Sequence, residues 1–519
     1  MSEIQQNMVK QPDTARRGKK AMKWERGTLL LWGTVVFFTV CYVSLIFNDN
    51  VWTDEIFSMN LFAEGFGEIV QETAQDVHPP LYYFLGRIFR LLFGDSLQVQ
   101  KILTLLPMSL TLALGAWKVR QFWGDRTAFL FQIFLGCLPC TMEYAVQVRM
   151  YSWAVLCVTV CGLMVWEIMT EEKCSSWILY TAAAAAAAYL HYFALVSAIF
   201  IHMMLLVILL LLPKKGKQIR NWLLFSVILI AVYLPWCPYF LKQVISVEGG
   251  YWIPEITAET VWGYFTWAFG LEGLWQTTLI YLLIAAAAGA VCLRALFRDG
   301  EGLWLKYGFF CMSVPALTTW SGVVLSYMQQ PIYRDQYVFP AMGMFCLFAA
   351  IGMSKLLGRG LAWLLPENET EREKGIAVFW QKGTRVQTAV MSLLLLFLLF
   401  TGAAAYRENF IAEYRSTLTE QTEAFFEENF GENDLVVYNY QAYYFNYKYY
   451  FPEEKLAYVR EVDLSADFDT IWFLDTEMEW DFVPDQIIPY NLQIEYVGHY
   501  GIEYNEFDLY KVTKGAAGV

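Results

Sequence analysis

The stretch LYYFLGRIFRLLF, residues 81–93, is apolar, short, and interrupted by Arg87 and Arg90. A hydrocarbon core of about 30 Å needs about 20 helical residues to cross, so this run reads as interfacial or re-entrant and not as a span. Working outward, eleven other apolar runs remain, at 28–47, 99–117, 127–142, 150–169, 176–190, 192–212, 221–240, 274–293, 307–327, 337–357 and 386–405. The third and fifth are short. With 81–93 set aside, the loops holding Lys118/Arg120/Arg126, Lys173, Lys214/Lys215/Lys217/Arg220, Arg294/Arg298/Lys306 and Lys355–Arg385 share one side with the N-terminal Lys10, Arg16, Arg17, Lys19, Lys20, Lys23 and Arg26. Lys/Arg-rich loops mark the cytoplasmic side, which predicts an inner N-terminus and an outer C-terminus. If 81–93 crossed, those loops would face outward, against the same rule.

Composition agrees with a polytopic membrane protein. Of 519 residues 57% are hydrophobic and only 17% charged, with mean hydropathy +0.36, against roughly 45–50% apolar and 25% charged in soluble domains. Disorder, collagen and small disulfide scaffolds are excluded. The net charge of −13 is concentrated from Arg407 to Val519, where 23 Asp/Glu face 7 Lys/Arg, or −16. With no basic stripe, nucleic-acid partners are excluded. All ten cysteines lie in or beside apolar runs, and Cys137–Cys140 reads as packing and not as a redox pair. The first run lacks a small-residue cleavage site, so it reads as an anchor that is kept. Three regions follow: a basic cytoplasmic tail at 1–27, a membrane domain at 28–406 with a first outer loop at 48–98, and an acidic outer domain at 407–519. In the last, an amphipathic stretch at 410–430 precedes DLVVYN (434–439), TIWFLD (470–475) and strand-like runs near 493–499 and 505–512, the pattern of a small α/β domain. The tyrosines between Tyr438 and Phe451 suit a carbohydrate-stacking face, a membrane contact, or plain core packing. Ala182–Ala188 and Ala285–Ala288 read as close helix packing.

Ionisable groups that persist at span ends are functional candidates. VWTDEIF offers Asp54 and Glu55 just after the first span; one could reach a substrate while the other caps the following amphipathic stretch Ile56–Val70, and the plain alternative makes Asp54 the N-cap. In QDVHPP, His78 precedes two prolines, with no second ligand at a metal spacing. EYAVQVRMYS supplies Glu143, Arg149 and Tyr151; the arginine suits a phosphate or lipid head groups. PIYRDQYVFP adds Arg334 and Tyr337. The expected topology delivers every one of them to the outer face, where a lipid-phosphate donor requires cations for the phosphate and a carboxylate for the acceptor proton.

Taken in order, the Asp-Glu pair, HPPLYYFL, EYAVQVRMYS and PIYRDQYVFP resemble the dolichyl-phosphate-mannose protein mannosyltransferase-like family of C-type glycosyltransferases, over roughly 28–355. The resemblance implies a C-type glycosyltransferase fold of about eleven transmembrane helices with a small extracytoplasmic α/β domain. It also implies inverting transfer of a sugar from a polyprenyl-phosphate donor to a protein, lipid or glycan acceptor outside the cell membrane. Asp54 matches the family's base, Glu55 its supporting carboxylate, and Arg149 its R-x-Y arginine. Relatives often carry Arg-Tyr before the late proline, whereas here Gln336 precedes Tyr337 and the arginine stands at 334. No DxD pair precedes Arg149, so no metal cofactor is expected. Two other readings stand beside this one, a transporter or flippase for a lipid-linked envelope precursor and a non-catalytic envelope assembly protein. A transporter predicts repeated halves and broken helices near the bilayer midplane.

Overall fold

The computed structural model describes residues 26–48, 51–171, 173–213, 215–247, 253, 256–298, 302–328, 331–367, 371, 377–378, 381, 383–411, 417–476, 490, 492–503 and 505–514. The basic cluster Lys10–Lys23 and part of the 241–273 loop lie outside these. The chain forms two compact units. One holds the described residues up to Phe47 together with Phe66–Phe410; the other holds Asn48–Gly65 and Ile411–Val519.

The first unit is helical: α1 Arg26–Leu45 and, after the segment belonging to the second unit (α2 Thr53–Ala63), α3 Phe66–Gln75, α4 Leu81–Phe93, α5 Leu97–Leu114, α6 Arg120–Cys137, α7 Pro139–Tyr144, α8 Tyr151–Thr170, α9 Cys174–Leu190, α10 Tyr192–Leu211, α11 Gly216–Tyr233, α12 Cys237–Val247, α13 Ala258–Thr266, α14 Trp275–Leu296, α15 Leu303–Met328, α16 Met342–Leu357 and α17 Arg385–Phe410. Eight helical segments among the described residues are long and apolar enough to cross a membrane, or nine if the pair α11/α12, bent by 68°, is one span. The remaining two of the eleven expected runs have physical explanations. Leu97–Cys137 counts as one 41-residue segment, but a helix of that length is about 60 Å long, twice the hydrocarbon thickness. Its backbone departs from helix at Gly124 (φ 83°, ψ 175°), a left-handed conformation glycine adopts readily, which divides it into two runs. Cys174–Leu190 is apolar but has 17 residues. The bend between α11 and α12 falls at LPWCP, 234–238, where proline cannot continue the hydrogen-bond ladder.

Residues 81–93 form one helix with the bounds read from sequence. At about 20 Å it is too short to cross. Tyr82, Tyr83 and Gly86 are buried, while Ile88, Leu91, Leu92 and Phe93 are exposed, the two-sided character of an interfacial helix.

Close approach builds the interior. α16 is buried along most of its length and packs against α6, α8, α14 and α15. A Cβ at Gly352 would lie 2.6 Å from the Cα of Ala288, so α14 and α16 touch backbone to backbone at Ala288, the one buried residue of the Ala285–Ala288 run. Between α5 and α6 the backbone widens into a π turn at Gly115–Val119. There the buried amide nitrogen of Gln132 donates to the carbonyls of Leu31 (3.2 Å) and Leu112 (3.0 Å), tying three helices together at membrane depth. At one end of α8, Glu167 accepts from Lys118 Nζ and Ser176 Oγ, both at 2.8 Å. Arg149 and Tyr151 stand at the other end, about 24 Å along the axis.

The second unit is a five-stranded sheet of order β2-β1-β3-β5-β4, formed by β1 Leu435–Tyr438, β2 Leu456–Tyr458, β3 Ile471–Asp475, β4 Leu492–Ile502 and β5 Asn505–Lys514. β2, β1 and β3 are parallel, and β5 and β4 antiparallel. All four expected strand runs are strands, and β2 is one that sequence did not pick out. The helix α18 Thr417–Asn429 packs on β4, and α19 Tyr444–Tyr450 lies between β1 and β2 in the chain. Tyr438, Tyr447, Phe451 and Tyr458 join the core with Trp472 and Phe473. The aromatic cluster is therefore largely core packing, the third of its three readings.

Candidate active site

Each unit carries part of the expected constellation. In the second, the amphipathic stretch Ile56–Val70 is not one helix: α2 ends at Ala63, Glu64 is extended (ψ 162°), and α3 starts at Phe66 in the other unit. The apolar pattern runs through this break, so periodicity gave no sign of it. The N-cap of α2 is Trp52 and not Asp54. Glu55, 3% exposed, turns back so that its carboxylate accepts the Trp52 N–H at 3.3 Å, the carboxylate half of a capping box. Asp54 is half-buried in the first turn. Of the two adjacent carboxylates, Glu55 is the one turned inward to cap the helix.

In the first unit His78, Arg149, Tyr151 and Tyr337 come together. Pro79 pushes His78 toward extended backbone, and Pro80 is the N-cap of α4. Arg149, in the turn between α7 and α8, is only 2% exposed. Its Nη2 lies 3.1 Å from His78 Nε2. Guanidinium can only donate, so Nε2 accepts, and the imidazole proton sits on Nδ1, 2.7 Å from Asp76 Oδ2. The result is a chain of carboxylate, neutral imidazole and guanidinium.

His191 closes the group. It separates α9 from α10, is 3% exposed, and its Nδ1 accepts the Phe193 N–H at 3.1 Å as the N-cap of α10. Its ring lies 6.2 Å from His78, 5.3 Å from Tyr151 and 5.0 Å from Tyr337, centroid to centroid. Burial above all, and then the Arg149 charge, push its pKa well below the ordinary histidine value, so it is neutral. Glu143 is half-buried on α7 and accepts from Gln147 Nε2 at 3.4 Å. Arg334 caps the short 3-10 turn Asp335–Ala341 that carries Tyr337 and lies beside Asp335 and Tyr264.

Asp76 and His191 escaped the sequence reading. The signals were present: an Asp-x-His pair before two prolines, and a lone histidine breaking two apolar runs at membrane level.

No protein-family model and no curated protein matches the sequence. The fold does have solved counterparts. The crystal structure of ArnT from Cupriavidus metallidurans in the apo state matches with TM-score 0.56 at 12% identity, over 93% of this chain and 98% of that one. The same protein bound to undecaprenyl phosphate matches with TM-score 0.54 at 13% identity, over 93% and 97%. This chain thus has an ArnT-like fold with a small C-terminal sheet domain.

Proposed function

We propose that this chain is a membrane glycosyltransferase that moves a sugar, with inversion, from a polyprenyl-phosphate donor to an acceptor on the outer face of the membrane. The N-terminus is then inside, the C-terminal domain outside, and no metal takes part. The observation that carries the reading is the Asp76–His78–Arg149 chain with its buried guanidinium, for which a fixed anion such as a lipid phosphate is the natural ligand. The fold shared with ArnT, one structure of which is bound to undecaprenyl phosphate, supports it. The order of motifs that resembles the protein mannosyltransferase-like family supports it independently.

In this mechanism Asp54 takes the proton of the acceptor hydroxyl as its oxygen bonds to the anomeric carbon. The bond from that carbon to the phosphate oxygen breaks, and its electron pair leaves with the polyprenyl phosphate. Arg149 offsets the charge that grows on the phosphate, while Asp76 holds His78 in the tautomer that presents Nε2. Glu55 holds the first turn of α2, and Tyr151, Tyr337, Glu143 and Arg334 contribute to substrate binding.

The test compares polyprenyl-phosphate-sugar lipids in cells making the wild type or Asp54→Asn. The expected result is a stably expressed variant, accumulation of one such lipid, loss of the matching surface glycan, and transfer slowed by about 10²–10⁴-fold. Unchanged lipid and glycan profiles would refute the proposal.

A further inference from the structure

The helix that carries Asp54 is held from one side by a single short helix of the C-terminal unit. Asn446 Nδ2 donates to Thr53 Oγ1 at 3.1 Å, and the Phe445 ring meets Phe57 edge-on at 5.1 Å. Asn60 Nδ2 donates to the Phe445 carbonyl at 2.9 Å. Lys448 Nζ reaches Glu64 at 3.1 Å and is steadied by Glu453 at 2.9 Å. The positions engaged on α2 and its cap are 53, 57, 60 and 64. At about 100° per residue these spacings form one stripe, running from the first turn to the C-cap. Their partners are residues 445, 446 and 448 of α19. Asn446 is 2% exposed, so its bond to Thr53 is sheltered from competing water. Asp54 lies about 90° around the helix from the stripe, beside the grip and not consumed by it.

We infer that α19 is the cradle that sets the Asp54 carboxylate, and that Asn446 and Lys448 are positioning residues for the transfer reaction. This rests on the reading of Asp54 as the base. A side chain sits about 5–6 Å from its helix axis, so a 20° roll of α2 moves the carboxylate by about 2 Å. Misplacement by about 1 Å can slow a reaction about 10²-fold.

The experiment uses the full chain and, as donor, the lipid that accumulates in Asp54→Asn cells. If no such lipid accumulates, the glycosyltransferase reading fails first, and the two failures are thereby distinguished. Asn446→Ala is expected to lower kcat by 10-fold or more, with donor KM changed less than twofold and undecaprenyl phosphate binding unaltered. Thr53→Val, which removes the same bond from the α2 side with little change of shape, should lower kcat alike, and Thr53→Ser should recover what Thr53→Val loses. The double variant Asn446→Ala/Thr53→Val should be no slower than the worse single one, since both remove one interaction. Lys448→Arg should outperform Lys448→Ala. Wild-type kcat in Asn446→Ala and Thr53→Val, losses that simply multiply in the double variant, or an equal rise in donor KM would overturn the inference.

Discussion

At the scale of single residues, Arg149 has the clearest assignment to test. Its guanidinium is buried and already donates to a neutral histidine, so an arriving phosphate replaces a weak neutral acceptor with a charged one. A charge-assisted hydrogen bond contributes about 1.5–3 kcal/mol, so Arg149→Ala should weaken undecaprenyl phosphate binding by roughly 10–100-fold. Arg149→Lys should recover only part, because an ammonium cannot form the planar fork. Titration of purified variants with undecaprenyl phosphate checks this, and equal affinities would remove Arg149 from the phosphate site. Asp475 gives a second test, of the C-terminal unit. It ends β3 opposite Asp508. Burial and the Asp508 charge outweigh the Asn439 hydrogen bond and raise its pKa to about 6. The folded state therefore binds this proton more tightly than the unfolded chain, and stability falls as pH rises from about 4 to about 6, then stays level. Because the group is half-exposed, the cost above pH 6 is about 1 kcal/mol, not the ~3 kcal/mol that the whole shift represents. Asp475→Asn keeps an acceptor for Asn439 and should increase hydrogen-exchange protection of the β1 and β3 amides at pH 8 but not at pH 4. Equal protection gains at both would show that the carboxylate's charge is not the cause.

Among the elements, α4 decides the threading. Its length and two arginines already set it apart in the sequence, and the helix has the same bounds, 81–93. If it lies at the membrane surface, a fluorescent amino acid placed at position 92, which is exposed, should be quenched best by shallow bromolipids. Strongest quenching by lipids brominated near the chain ends would make it a span and reverse the expected orientation of every later loop. Other elements were legible to differing degrees. The strands could be read because each alternates or runs apolar between turn residues, and β2 was missed because LAY is three residues with no pattern of its own. The break between α2 and α3 was hidden because apolar residues continue at helical spacing across Glu64 and Gly65. What separates the two helices is tertiary: Glu64 pairs with Lys448, nearly 400 residues along the chain. The site shows the same division. His78 and Arg149 carry local motifs, whereas Asp76 and His191 matter through hydrogen bonds and ring contacts that only folding brings about.

For the molecule as a whole, the division into two units separates the proposed tasks. Asp76, His78, Arg149 and His191 all belong to the helical unit, whereas Asp54 and Glu55 belong with the C-terminal sheet domain. The segment 48–98 is therefore built from both: residues 48–65 fold with a domain whose main chain begins after the last long apolar helix, and the rest of the segment folds with the helices. A chain ended after Phe410 should lose these properties unequally. Its helices retain the Asp76–His78–Arg149 chain, so undecaprenyl phosphate should still bind within a few-fold of the full-length affinity. The α2 segment loses Phe445, Asn446 and Lys448, the partners of its whole stripe. An isolated helix of 11 residues is marginal in water, so this segment should unravel. A protease that cuts after glutamate should then cleave at Glu55 or Glu64 in the shortened chain and spare both in the full one, and the surface glycan should be lost although the lipid phosphate is still bound. Loss of phosphate binding together with the glycan would mean that the helical unit does not hold the donor by itself, and protection of Glu55 and Glu64 in the shortened chain would mean that α2 does not depend on the sheet domain.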